Sequence, residues 1–334
     1  MKIIYRPEID GLRALAVLSV IFYHSNISFF DRHPFKGGYL GVDIFFVISG
    51  YLITLLILKE LYLTGNFSFK YFYERRIRRI IPTLLIVILM SIPFSFIFLL
   101  PEDLLNYTES IISSLAFVSN FYFYFSGQEY DTIDALHKPF LHTWSLSVEE
   151  QFYILFPILL FWLFKKFKSY LLTILLIIFL FSLQIADWGT SNFPILNFYI
   201  LPTRVWELMA GSLLAYYELQ LGHRNKIKSL NLIFPSIGMF LIANSIVFFN
   251  HDTPYPSFYS LIPVLGTCML IWFSSKDELI TKILSSKLFV GFGLISYSLY
   301  LWHYPIFAFA RINFDNLTNT IILLSLIIII FLSI

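Results

Sequence analysis

Arg13 and His24 lie eleven residues apart in the apolar stretch 12–30, and an α-helix turns about 1100° over that separation, so both project from nearly one face. Polar side chains are costly at membrane depth, and the usual reason to keep ionisable ones there is a substrate, ion or proton path. Asp43, Glu149, Glu150 and His303 stand in or beside other apolar runs, and Arg75-Arg76-Ile77-Arg78-Arg79 precedes another. Arg76 and Arg79, at i and i+3, share a helix face from which guanidinium forks match phosphate oxygens. A basic floor beneath an acid/base layer suits transfer from an anionic donor to an acceptor on the far side.

Each of these residues also has a plainer role. The arginine cluster could be a topology anchor, and His24 could be a core histidine bonded to a backbone carbonyl. Asp43 could cap its helix, and Glu149 and Glu150 could complement a helix dipole. Glycines 37, 38, 41 and 50 suit close helix packing better than phosphate binding.

The elements that must position these groups follow from composition. The 334 residues are 58% hydrophobic, 19% aromatic and only 13% charged, which fits an all-α polytopic membrane protein. A net charge of +2, with the basic residues clumped between apolar runs, argues against nucleic acid. The single cysteine, Cys268, has no disulfide partner, and no metal site is expected. The first apolar run is about a full span long and lacks a small-residue cleavage site, so it is expected to stay in the mature protein. Runs near 12–30, 39–62, 83–100, 144–164, 170–186, 205–221, 230–249, 259–274, 288–309 and 317–334 predict about ten transmembrane helices.

The stretch 110–126 is apolar enough to be a further span, and the Lys and Arg residues arbitrate. With the N-terminus cytoplasmic and 110–126 not crossing, most of the 23 basic residues fall inside, Lys2 among them; if it crosses, the two sides carry near-equal numbers. The positive-inside bias therefore makes 104–142 a re-entrant or interfacial segment facing outward, of a kind tolerated at depth only when buried in protein or lining a wet cavity. Loops around Asp187–Asn192 and Asn250–Pro254, including His251, are expected outside. No repeat or soluble domain is visible, and the chain stops at Ile334 within an apolar run that has no polar flank, as expected if the last helix is cut there or the native chain continues.

Several stretches resemble the membrane acyltransferase-3 family, particularly bacterial O-antigen and surface-polysaccharide O-acetyltransferases. They are Tyr5–Ala14 with His24, Gly41–Thr54, Arg75–Pro82, His142–Tyr153, Arg204–Gly211 and Ser296–His303. Six motifs in order cover essentially the whole chain as one transmembrane domain, 1–334. The resemblance implies about ten membrane helices in the bacterial inner membrane, a cytoplasmic acyl-coenzyme A (acetyl-CoA) donor as substrate, and a glycan or polyprenyl-linked oligosaccharide acceptor, as in lipopolysaccharide O-antigen acetylation. It carries an essential Arg-x10-His pair onto Arg13 and His24, and an Arg-x-x-Arg element onto Arg76 and Arg79. Arg75 and Arg78 repeat that spacing, so a register shifted by one is also open. Many relatives with such an N-terminus continue into an extra helix and a periplasmic SGNH-hydrolase-like domain, which this chain does not show.

Under that resemblance, Arg76, Arg79 and Arg13 hold the donor phosphates while the thioester arm rises toward His24. A neutral His24 imidazole can take a proton from an attacking hydroxyl or itself accept the acyl group. Asp43 or Glu149 is expected to orient the ring, as the third member of a triad does. Trp144, Arg204, Glu207 and His303 are expected to serve either the acceptor site or the structure. A glycan or donor transporter is the rival reading, because polar groups around a midplane cavity also describe a path; the chain shows no inverted repeat to support it.

Overall fold

The computed structural model describes residues 5–28, 33–127, 130, 132–250, 252–314 and 317–334. Lys2, the Phe29–Phe30 end of the first expected span, residues 128, 129 and 131 of the 104–142 segment, and His251 lie outside them. The described residues form helices and connecting turns, with no strand among them. In chain order the helices are α1 (Pro7–Ser25), α2 (Gly41–Thr64), α3 (Phe69–Phe98), α4 (Pro101–Leu115), α5 (Ser119–Phe125), α6 (Ile133–Leu136), α7 (Thr143–Lys166) and α8 (Leu171–Asn192). They continue with α9 (Pro194–Tyr199), α10 (Val205–Leu221), α11 (Lys228–Phe248), α12 (Leu261–Phe273), α13 (Leu279–Leu284), α14 (Lys287–Leu294), α15 (Ser296–Asn313) and α16 (Asn319–Ser333).

Among the described residues, five helical stretches are long and apolar enough to cross a bilayer: Gly38–Thr64, Phe69–Phe98, Thr143–Lys166, Lys168–Asn192 and Lys228–Phe248. The other expected spans correspond to α1, α10, α12, α14 with α15, and α16, which are shorter or carry ionisable groups. Large apolar side chains such as Leu89, Phe96, Ile97, Phe181 and Phe240 point outward, while His24, Asp43, Arg204, Glu207 and His303 are buried. Apolar outside and polar inside is the arrangement of a bundle solvated by lipid. The chain is an all-α membrane protein.

The 104–142 region breaks into α4, α5 and α6. Phe117 sits at φ 54° between the first two, a left-handed conformation that interrupts a helix. At 1.5 Å per residue the longest piece, α4, reaches only about 22 Å, short of the roughly 30 Å hydrocarbon core. The segment packs against α7, where Ser114 and Ser119 bond Thr143.

Helix α1 runs through the middle of the bundle against α2, α13, α14 and α15. Pro7 opens it with Glu8 and Asp10 in its first turn, where carboxylates suit the dipole, and Asn26 closes it in the left-handed region. The α2–α10 pairing is the most extensive in the fold, and glycine permits it. A Cβ on Gly50 would lie 1.8 Å from the Leu208 carbonyl oxygen, and one on Gly211 would lie 1.9 Å from that of Val47. The two backbones therefore touch without intervening side chains.

Candidate active site

Five helices, α1, α2, α3, α7 and α15, enclose a cavity of about 90 Å³. Arg13, Arg76 and Arg79 line it together with Ser49, Glu149, Glu150, Tyr153 and Tyr300. The arginine register is now plain: Arg76 and Arg79 face the cavity, whereas Arg78 turns away into an exposed pair with Glu74 at 2.7 Å and Arg75 is also exposed. Arg76 stacks over the Tyr153 ring at 4.5 Å, and Arg13 pairs with Asp10 at 2.8 Å. Glu149 accepts hydrogen bonds from Ser49 and Tyr153, so it belongs to this cationic cavity.

His24 is at the other end of α1, and its ring is held by an imidazole. His303 Nδ1 lies 2.5 Å from the Tyr300 carbonyl oxygen, which can only accept, so that nitrogen carries the proton. With neutral rings, His303 Nε2 then accepts from His24 Nδ1 at 3.0 Å. His24 Nε2 is left as the acceptor, and it takes the Tyr130 hydroxyl at 2.7 Å. The chain of bonds thus fixes which nitrogen is basic and where it points. Arg311 donates to the His24 carbonyl, one of the last-turn oxygens that no helical N–H can reach. The ring of His142 stacks on Tyr304 and stands 5.3 Å from that of His303; neither of its nitrogens has a hydrogen-bond partner among the described residues.

The expected orienting carboxylates are elsewhere. Asp43 joins a fully buried cluster in which Arg204 Nη2 lies 3.1 Å from Asp43 and 3.2 Å from Glu207, and Tyr255 donates to Asp43 at 3.0 Å. The cluster ties α2 to α10 and to the 250–258 loop. Asp43 therefore does not orient His24, nor does Glu149, which is committed to Ser49 and Tyr153; His303 takes that place. Trp144 is buried with its ring 4.4 Å from Phe198 and 6.0 Å from Tyr130. Tyr130, His142, Tyr300 and Arg311 are the members of the site that sequence reasoning did not single out. Ionisable character flags His142 and Arg311, but no periodicity marks Tyr130.

Tyr300 stands between the two ends. Its ring lines the arginine cavity, its hydroxyl lies 2.5 Å from Ser145, and its carbonyl holds His303. Tyr300 and His303 thus link a cationic cavity to the His24 imidazole. Residues 6–334 match the family described as an acyltransferase domain. The chain belongs to that family. Within it, the chain is 36% identical over 313 residues to the peptidoglycan O-acetyltransferase OatA of Listeria monocytogenes, covering 90% of this chain and 49% of that protein. It is 35% identical over 318 residues to the O-acetyltransferase OatA of Staphylococcus aureus, covering 92% of this chain and 51% of that one. This acyltransferase domain therefore spans about half the length of the curated relatives it matches. No solved structure matches it.

Proposed function

We propose that the chain is the membrane part of a surface-glycan O-acetyltransferase that takes an acetyl group from cytoplasmic acetyl-coenzyme A. The observation that carries this reading is the Tyr300–His303 link between the Arg13–Arg76–Arg79 cavity and His24. At about 90 Å³ the cavity takes no nucleotide, and it widens to admit a slender thioester arm. The donor's phosphates therefore meet Arg76 and the exposed Arg79 at the mouth, and the arm passes Glu149 and Ser145 toward Tyr300. For the thioester to reach His24, the Ser145–Tyr300 contact parts.

Once the Tyr130 hydroxyl swings off His24 Nε2, that nitrogen accepts the proton of the attacking hydroxyl, whose oxygen adds to the thioester carbonyl. The carbon–sulfur bond breaks, the thiolate leaves and takes a proton, and the glycan carries the ester. Imidazolium formed on His24 is stabilised by its Nδ1–H bond to His303, a neutral counterpart of the carboxylate in a triad. The name of the Listeria relative supports a wall-glycan acceptor of the peptidoglycan type in preference to O-antigen.

The test uses membranes containing the protein, acetyl-coenzyme A labelled in the acetyl group, and a glycan extract. Label in a base-labile glycan ester is expected, and His24→Ala should lower it at least about a hundredfold, the scale of a lost general base, with the protein still folded. Near-normal ester formation by His24→Ala would sink the assignment.

A further inference from the structure

A second cleft of about 550 Å³ opens beside His24, within the few hundred to about a thousand Å³ usual for small-ligand sites. Its wall is built from Tyr39, Tyr130, Phe198 and Tyr255, with Asn250 and Asp252 at the rim. The rings form a continuous surface: Tyr130 stacks on Phe198 at 4.8 Å and 29°, Phe198 meets Tyr255 at 5.9 Å, and Tyr255 meets Tyr39 at 4.9 Å. Phe198 and Tyr255 are each half-buried, so part of each ring is left to the cleft. Buried Trp144 backs Phe198 and holds the platform rigid.

The chemistry of this wall selects its ligand. Among the described residues lining the cleft there is no Lys, Arg or His, and the one ionisable carboxylate, Asp252, is exposed. An anionic ligand would meet repulsion there. A neutral polyol with one apolar C–H face suits it: aromatic faces take the C–H face, while amide and carboxylate oxygens take the hydroxyls.

Continuity with the imidazole decides the role. Tyr130 belongs to the platform and also donates to His24 Nε2. Asn250 and Asp252 line both this cleft and the neighbouring outer pocket that contains His24. We infer that the aromatic cleft is the subsite that seats a pyranose ring of the acceptor glycan, with a ring hydroxyl directed past Tyr130 to His24 Nε2. The inference rests on the acyl-transfer reading for its purpose and on the cleft alone for its ligand.

Binding separates the two. The whole chain in lipid nanodiscs is titrated calorimetrically with a β-1,4-linked N-acetylglucosamine tetrasaccharide, without any donor. Saturable binding is expected. Phe198→Leu, which keeps apolar volume and deletes the flat face, and Asp252→Ala, on an exposed loop, should each weaken it by about tenfold, while acetyl-coenzyme A binding stays unchanged. Absence of saturable binding, or affinity equal to that of the unaltered chain in both variants, overturns the subsite. Saturable binding that depends on Phe198, in membranes that never label a glycan, supports the subsite and removes the transfer reading instead.

Discussion

The tautomer of His24 follows from one carbonyl. Because Tyr300 O can only accept, the two rings and the Tyr130 hydroxyl fall into a single donor order ending at Nε2. His303 is a positioning residue for His24, and replacing it by Ala strands the Nδ1–H in a buried site. Turnover should fall by roughly tenfold to a hundredfold, the scale of one lost hydrogen bond to a developing charge. His303→Asn, whose Oδ1 still accepts, should recover part of the loss in kcat with little change in either KM. If Asn and Ala behave alike, orientation is not the role of His303. The arginines give a sharper contrast. Arg76→Gln or Arg79→Gln should raise the donor KM about tenfold, with Lys milder, because forked pairing to phosphate is lost before charge. Arg78→Gln, whose side chain turns away to Glu74, should leave it unchanged. Equal effects at all three positions would return the cluster to a topology anchor.

Among the elements, α2 carries two duties on adjoining faces. Phe45, Phe46 and Ser49 line the arginine cavity, while Val47 and Gly50 press directly on α10. Asp43 pins the end of α2 where the glycine contact cannot reach, through Arg204. Removing the guanidinium leaves Asp43 and Glu207 buried with no cation, so Arg204→Leu should destabilise the fold by about 3–5 kcal/mol. Thermal unfolding in detergent reads this, and the triple variant that also carries Asp43→Asn and Glu207→Gln should regain a good part of the loss. An unchanged midpoint in Arg204→Leu would mean that the cluster contributes nothing to holding α2 on α10. The motifs around Asp43 and Arg204 were legible as motifs. Their mutual contact was not, because 161 residues separate them and no local period records which distant helix a face will meet.

At the scale of the whole molecule, the arrangement works only if the arginine cavity opens to the cytoplasm and the aromatic cleft to the outside. The distribution of Lys and Arg predicts this, and labelling checks it. In a Cys268→Ser background, Lys226→Cys should react with an impermeant thiol reagent only after the membrane is breached, and Ser191→Cys should react in intact cells. The reverse pattern would place the arginine cavity on the wrong side for the proposed cytoplasmic donor. The same bias kept 110–126 from being read as a span, and the short helices α4 and α5 agree with that reading for a separate reason, their length.

Helical class, the membrane environment, the Arg13–His24 stripe and the Arg76/Arg79 spacing were all readable in the sequence, because hydropathy and the 3.6-residue turn are local properties. Family motifs pointed to acyl transfer for the same reason: each is contiguous. Only the tertiary structure decided that His303 and not a carboxylate holds His24, that Asp43 belongs to Arg204, and that Arg76 and Arg79 rather than Arg75 and Arg78 face the cavity. Those choices depend on how each helix is rotated against neighbours distant in the chain. That rotation is set by the packing of whole faces, such as Gly50 and Gly211 between α2 and α10, and no single segment contains it.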